Sequence, residues 1–203
     1  TWYSDSTDAA SVQHAVASGN EFPAAYTEVP AIMTVASNKS GYYSFRATLS
    51  GLQKETTYVY RLVNGTTVSA PYTFKTTGTG AFSFLLAGDP QIGASGNVSN
   101  DTNGWGVTLK NAASAFPNAA FLISAGDQVN TANNEAQYDG YLEHAELYNM
   151  TTATVVGNHD SSNAAYSEHF NNPNVSAYGK TNAGSDYWYV YNNVLFMNLN
   201  SNN

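Results

Sequence analysis

The chain has 203 residues, 42% of them hydrophobic and 13% aromatic. That is enough apolar surface for one domain or two small ones, and it excludes a disordered chain. Seven Lys and Arg stand against 15 Asp and Glu, a formal net charge of −8; this excludes nucleic-acid binding through charge and docking on anionic membranes.

Cys is absent, so the chain has neither disulfides nor thiolate metal sites. No apolar run approaches the roughly 18 residues that span a membrane. Only 11% of residues are charged, while Ser, Thr, Asn, Gly and Tyr abound. That composition fits an extracellular or cell-surface protein, and without Cys a bacterial one. The chain opens at Thr1-Trp2-Tyr3 with no apolar targeting segment, so a signal peptide is not part of it.

Residues 1–76 read as all-β. The run Tyr42–Leu49 is aromatic and β-branched, and Ser50-Gly51 breaks it. Thr57–Val63 follows, Asn64-Gly65 signals a hairpin, and Tyr72–Thr76 closes the block. Short strands with turn residues between them predict a β-sandwich. Residues 77–81 read as a linker.

From residue 82 the rhythm changes. Phe82–Ala87 is a nearly continuous apolar run, which predicts a strand buried on both faces. A helix is expected over Val107–Phe116, with Leu109, Ala112, Ala113 and Phe116 on one face. A second strand covers Ala119–Ser124, a second helix Glu135–Tyr148 and a third strand Thr152–Val156. Strand–helix–strand–helix–strand predicts a parallel sheet with right-handed crossovers, so residues 82–203 read as an α/β domain.

Each of those strands ends on a similar polar tip: Gly88-Asp89-Pro90-Gln91, Gly126-Asp127-Gln128-Val129-Asn130 and Gly157-Asn158-His159-Asp160. Active sites of open α/β sheets lie at the carboxyl ends of strands, so the three tips are expected to converge. Carboxylates gathered a few Å apart disfavour joint ionisation unless a cation offsets them. Asp and Asn offer hard oxygen ligands and His a borderline nitrogen, which points to one divalent metal or a pair.

These tips resemble the first three motifs of the calcineurin-like metallophosphoesterases. The β-block ahead of them, with GLQKETTYVYRLVNG and the YTFKT end, resembles the fibronectin-III-like N-terminal domain of purple acid phosphatases. The resemblance implies a β-sandwich followed by the first strand–helix units of an α/β/β/α phosphoesterase sandwich. It implies that Asp89 ligates a first metal, Asp127 bridges two, and Asn158 ligates the second. It also implies that His159 contacts the phosphoryl group and protonates the leaving oxygen, with Asp160 orienting His159. The cofactor is then two divalent or trivalent ions (Zn, Mn or Fe), and a metal-bound hydroxide hydrolyses a phosphomonoester or phosphodiester. The partner is a phosphate-ester small molecule or an exposed phosphoryl group.

The departures are specific. Gln91 stands where many relatives carry a His ligand, and its amide oxygen is a candidate ligand. Asn130 stands where purple acid phosphatases carry the tyrosine that gives their colour, so this protein is expected not to be purple. Two later histidine motifs of the family have no counterpart, so the resemblance implies a longer parent whose C-terminal remainder completes the site. Alternative readings are a non-catalytic extracellular binding module on a vestigial scaffold, and a phosphotransferase or nucleotide-specific hydrolase.

Other residues carry weaker signals. His14 is expected to be structural, and His144 to lie on a solvated helix face. His169 follows the third tip and either lines the substrate entrance or stands by. Trp105, between Gly104 and Gly106, is a candidate pocket wall. Tyr187-Trp188-Tyr189 reads as strand packing.

Overall fold

The computed structural model describes residues 1–19 and 21–203. The chain divides into two compact units, Thr1–Gly80 and Ala81–Asn203. Most regular structure is β-sheet, and the helices all lie in the second unit.

The first unit holds two antiparallel sheets. One has the order β1 (Trp2–Ser4), β5 (Tyr43–Arg46), β4 (Ile32–Val35). The other is built on β6 (Thr57–Asn64), which pairs with β2 (Ala10–Val16) on one side. On its other side lie β7 (Thr67–Val68) and β8 (Tyr72–Lys75), and β3 (Thr27–Pro30) pairs with the outer side of β2. The hairpin joins Asn64 to Thr67 through Gly65-Thr66, one residue later than the Asn64-Gly65 signal suggests. Strands β1 to β4 give no clear sequence signal. In β2 the four consecutive residues Ser11–His14 are all buried, and three of them are polar, so alternation is lost. Aromatic side chains fill the gaps: Trp2 stacks on Phe45, and Tyr58 on Phe74. His14 is buried beside Tyr58, and burial lowers its pKa.

The second unit contains a parallel sheet of order β11 (Thr152–Thr154), β10 (Leu122–Ser124), β9 (Leu85–Ala87). Helix α1 (Val98–Ala115) connects β9 to β10. Helices α2 (Glu135–Leu142) and α3 (Ala145–Tyr148) connect β10 to β11. Ile92, Trp105, Leu109, Leu122 and Tyr141 form the main core, with Leu85 and Ala87 packed against it. A short helix α4 (Ala165–His169) and the hairpin of β12 (Tyr187–Tyr191) and β13 (Val194–Asn198) complete the unit.

Several expectations change here. Helix α1 starts at Val98, nine residues before the apolar pattern, because its first turns are polar; the Asn97 side chain caps it by accepting from Asn100 N–H. Its buried face carries Trp105 and Leu109, while Phe116 lies beyond the helix and is exposed. Trp105 therefore walls no pocket. It stacks on Tyr141, and its indole N–H donates to the Tyr141 carbonyl.

The second helix breaks at Glu143-His144 into α2 and α3. His144 does not lie on a solvated helix face. Its ring makes a 3.0 Å hydrogen bond to the Gly140 carbonyl and sits against Gly106 of α1, where a Cβ would lie 2.8 Å from the ring.

Strand β9 is not buried on both faces. Leu85 and Ala87 face the core with α1 and α2, whereas Leu86 is 68% exposed. On β12 and β13, Trp188, Val190, Leu195 and Met197 are likewise exposed. The opposite side of that hairpin joins a cluster of Phe82, Phe84, Phe121, Tyr189, Tyr191 and Phe196.

Candidate functional site at the strand tips

The loops that follow β9, β10 and β11 are joined to one another by hydrogen bonds. The first two loops run in parallel. Asp89 N–H donates to the Gly126 carbonyl, Gln91 N–H to Asp127, Ile92 N–H to Gln128, and Asn130 N–H back to Ile92. This zip extends the β9–β10 pairing past the ends of the strands, and Ile92 and Val129 form a parallel bridge within it.

Side chains bind the third loop to the second. His159 N–H donates to Asp127 Oδ1 at 2.9 Å. The His159 ring nitrogen Nδ1 lies 2.8 Å from the Asn130 carbonyl. A carbonyl only accepts, so Nδ1 carries the hydrogen and Nε2 is the nitrogen left free. Asp160 is fully buried; it accepts from Gly157 N–H at 2.9 Å and from Val129 N–H at 3.4 Å. Asp160 therefore does not orient His159. It clamps the second loop to the third, and the backbone of Asn130 orients the imidazole.

The backbone in these loops is unusual. Asp89, Gln91 and Asp127 all adopt left-handed φ values, 52°, 41° and 50°. Such conformations cost about 1–3 kcal/mol each and gather where surrounding structure enforces them, often at functional sites. Gly157 fits against Asp127 so closely that a Cβ would lie 2.0 Å from Asp127 Oδ1 and 2.1 Å from its backbone nitrogen. The glycine is thus required for the approach of the second and third loops.

The electrostatics are one-sided. Asp127 is 6% exposed, and its Oδ1 accepts the His159 N–H. Burial pushes Asp160 up to about 6 against the pull of its backbone amide donors, and the nearby Asp127 charge adds to the rise. The second unit carries Lys110 and Lys180 as its only Lys or Arg, both exposed, against ten Asp and Glu.

The residues expected to hold metal come together unevenly. Asp89 and Asn158 are exposed, while Gln91 is half-buried and its Nε2 donates to Asn130 Oδ1 at 3.1 Å. Among the described residues, no three His, Cys, Asp or Glu side chains gather to hold a metal ion. The donors present are two carboxylates, three amides and one imidazole nitrogen. They fall short of the ligands that a pair of metal ions needs.

His169 is engaged by the helices that follow the tips. Its side chain is 5% exposed, hydrogen-bonded to Glu135 at 2.9 Å and stacked on Tyr138 with ring centroids 4.4 Å apart. It joins α4 to the start of α2. Two contributors were not assigned a role from sequence. The Asn130 carbonyl gives no side-chain signal. Gln128, fully buried, donates its amide to Ser124 and to the Val155 carbonyl, tying β10 to the end of β11; an amide inside a strand-end motif was its only trace.

The family described as purple acid phosphatase, N-terminal domain, matches residues 1–76. No curated protein matches the chain. The chain is similar in fold to a purple acid phosphatase, PPD1, from yellow lupin (Lupinus luteus) seeds. The identity is 20% and the TM-score 0.58, covering 87% of this chain and 34% of that one. It is also similar to PhoD, with 14% identity and a TM-score of 0.56, covering 95% of this chain and 45% of that one. The chain thus spans less than half the length of either structure. At these identities the likeness is one of fold.

Proposed function

We propose that the chain carries part of a calcineurin-like phosphoesterase site, formed where the loops after β9, β10 and β11 meet. The observation that carries this reading is the convergence of Asp127, Asn130 and His159 through hydrogen bonds of 2.8–2.9 Å. The match of residues 1–76 to the purple acid phosphatase N-terminal domain and the fold likeness to two phosphoesterase structures support it. The substrate class is a phosphomonoester or phosphodiester in the extracytoplasmic space, where a weakly charged, Cys-free chain is at home.

Asp89, Gln91, Asp127 and Asn158 would hold a cation, which supplies charge neutralisation to the phosphoryl oxygens. No Lys or Arg side chain of the second unit is buried near the tips to do this instead. His159 presents Nε2 and, when protonated, donates to the phosphoryl or leaving oxygen. Its Nδ1–H bond to Asn130 fixes the ring plane. The buried Asp160 clamp keeps the second and third loops in register. The pair of ions that the resemblance implies needs more ligands than these residues supply.

The test is hydrolysis of p-nitrophenyl phosphate and bis-p-nitrophenyl phosphate by the chain in the presence of a divalent cation. His159→Ala is expected to lower turnover by roughly 10²–10⁴-fold while cation binding persists. Asp127→Asn is expected to abolish both. Hydrolysis that survives Asp127→Asn, or no hydrolysis with any cation, would overturn the reading for this chain and favour a binding module on the same scaffold.

A further inference from the structure

We propose that the first unit carries a binding cleft for an uncharged saccharide, formed where the end of β2 meets the segments 25–27 and 50–52. The proposal does not rest on the strand tips.

The cleft has a volume of about 540 Å³, which is within the range of small-molecule sites. His14 and Tyr58 contribute to it from β2 and β6, Tyr26 and Thr27 from the segment that enters β3, and Ser50 and Leu52 from the segment before β6. Its walls are braced. Tyr58 stacks on Phe74, and its hydroxyl accepts from Gln53 N–H at 2.9 Å, which holds the segment around Ser50 to β6. Tyr26 is 43% exposed, yet Phe22 packs against its ring at 5.9 Å and the Arg61 guanidinium lies 5.7 Å from the ring centre. An exposed aromatic held in place this way offers a binding surface at little cost in side-chain entropy.

His14 supplies a second, independent observation. It is 6% exposed, and its Nδ1 is buried without a hydrogen-bond partner. Folded proteins rarely leave such a group bare. Burial also lowers its pKa, so the ring is neutral at pH 7. In a neutral imidazole one nitrogen donates and the other accepts. A sugar hydroxyl does both, and so complements either nitrogen.

The lining then gives the ligand class. Among the described residues that line the cleft, none is Asp, Glu, Lys or Arg. A phosphate or carboxylate would meet no counter-charge there. A purely apolar ligand would leave the imidazole and the hydroxyls of Thr27 and Ser50 without partners. A saccharide answers both conditions. The C–H face of its ring packs on a tyrosine ring, and its hydroxyls meet the polar groups beside it.

The experiment applies the whole chain to an array of uncharged and anionic glycans, followed by calorimetric titration with the free form of each glycan retained. Retention of uncharged glycans over their phosphorylated, sulfated or carboxylated counterparts is expected. Binding of the free form as well would identify a soluble saccharide as the source, and retention on the array alone a polymer of linked units; either upholds the proposal. Tyr26→Ala, at an exposed position, should weaken binding by roughly tenfold or more while amide exchange across residues 57–75 stays unchanged. His14→Phe, which keeps a ring and removes both nitrogens, should weaken it by a similar factor. Retention of anionic glycans alone would overturn the proposal, as would binding of p-cresol with no glycan retained. No retention at all, or retention indifferent to both substitutions, would overturn it too.

Discussion

The two units handle charge in opposite ways. The first, residues 1–80, has five Lys and Arg against five Asp and Glu; the second, residues 81–203, has two against ten. The entire −8 thus belongs to the second unit. In the first, Arg61 lies over the Phe22 ring at 4.0 Å and donates through Nε to Gln13, a cation settled among neutral partners. In the second, Asp127, Glu135, Asp160 and Glu168 are all buried. Backbone follows the same division. Glu55 is the one described non-glycine residue of the first unit with positive φ, whereas the second has Asp89, Gln91, Asp127, Asn174, Asn192 and Asn193. The first unit is built from compatible local choices. The second holds buried carboxylates, and three of its left-handed residues, Asp89, Gln91 and Asp127, lie at the strand tips.

That contrast breaks most sharply at Gly157. In Gly157→Ala the new methyl meets the backbone nitrogen of Asp127, which cannot swing aside as a flexible side chain would. The expected loss is about 3 kcal/mol or more. Hydrogen exchange read by mass spectrometry should show faster exchange in peptides around 124–130 and 155–161 and unchanged exchange across 57–75. Uniform acceleration in both units would mean that the strain is not local to the tips.

A smaller loss is expected where burial is relieved by one imidazole. His169→Ala leaves Glu135 buried at the first position of α2 without its ring partner. Unsatisfied buried groups of this kind cost about 2 kcal/mol. Chemical denaturation should show the loss, and cation binding at the tips should not change. A loss of cation binding with stability preserved would return His169 to the site.

These contrasts bear on what the sequence makes legible. The three tips were readable because apolar runs ended on Gly-Asp or Gly-Asn-His-Asp, and both the runs and the breakers are side-chain properties. The β6–β7 hairpin and β8 were readable for the same reason. The bond from His159 to Asn130 was not readable, since its acceptor is a backbone carbonyl that any residue carries. Asp160 was assigned to the wrong partner because sequence adjacency to His159 says nothing of the loop folding back onto Val129. The start of α1 was hidden by its polar first turns. Leu86 looked like a core residue because apolar character shows that burial would be favourable, not that a layer is present to provide it.

The smallest effect sharpens the contrast from the side of the first unit. His14 is buried between β3 and β6 beside Tyr58, and burial lowers its pKa below the ordinary 6.5. The folded state therefore takes up a proton less readily than the unfolded chain does. Between the unfolded value and the lowered folded one, unfolding is accompanied by proton uptake. Stability of the first unit should thus be full above pH 6.5 and fall as the pH drops below it. His14→Gln, which cannot titrate, should flatten that slope in unfolding followed by exchange across residues 57–75. Buried carboxylates respond to acid in the opposite direction when burial is the main term, so peptides of the second unit should not share the slope. A slope that persists in His14→Gln would place the acid sensitivity on another group of the first unit.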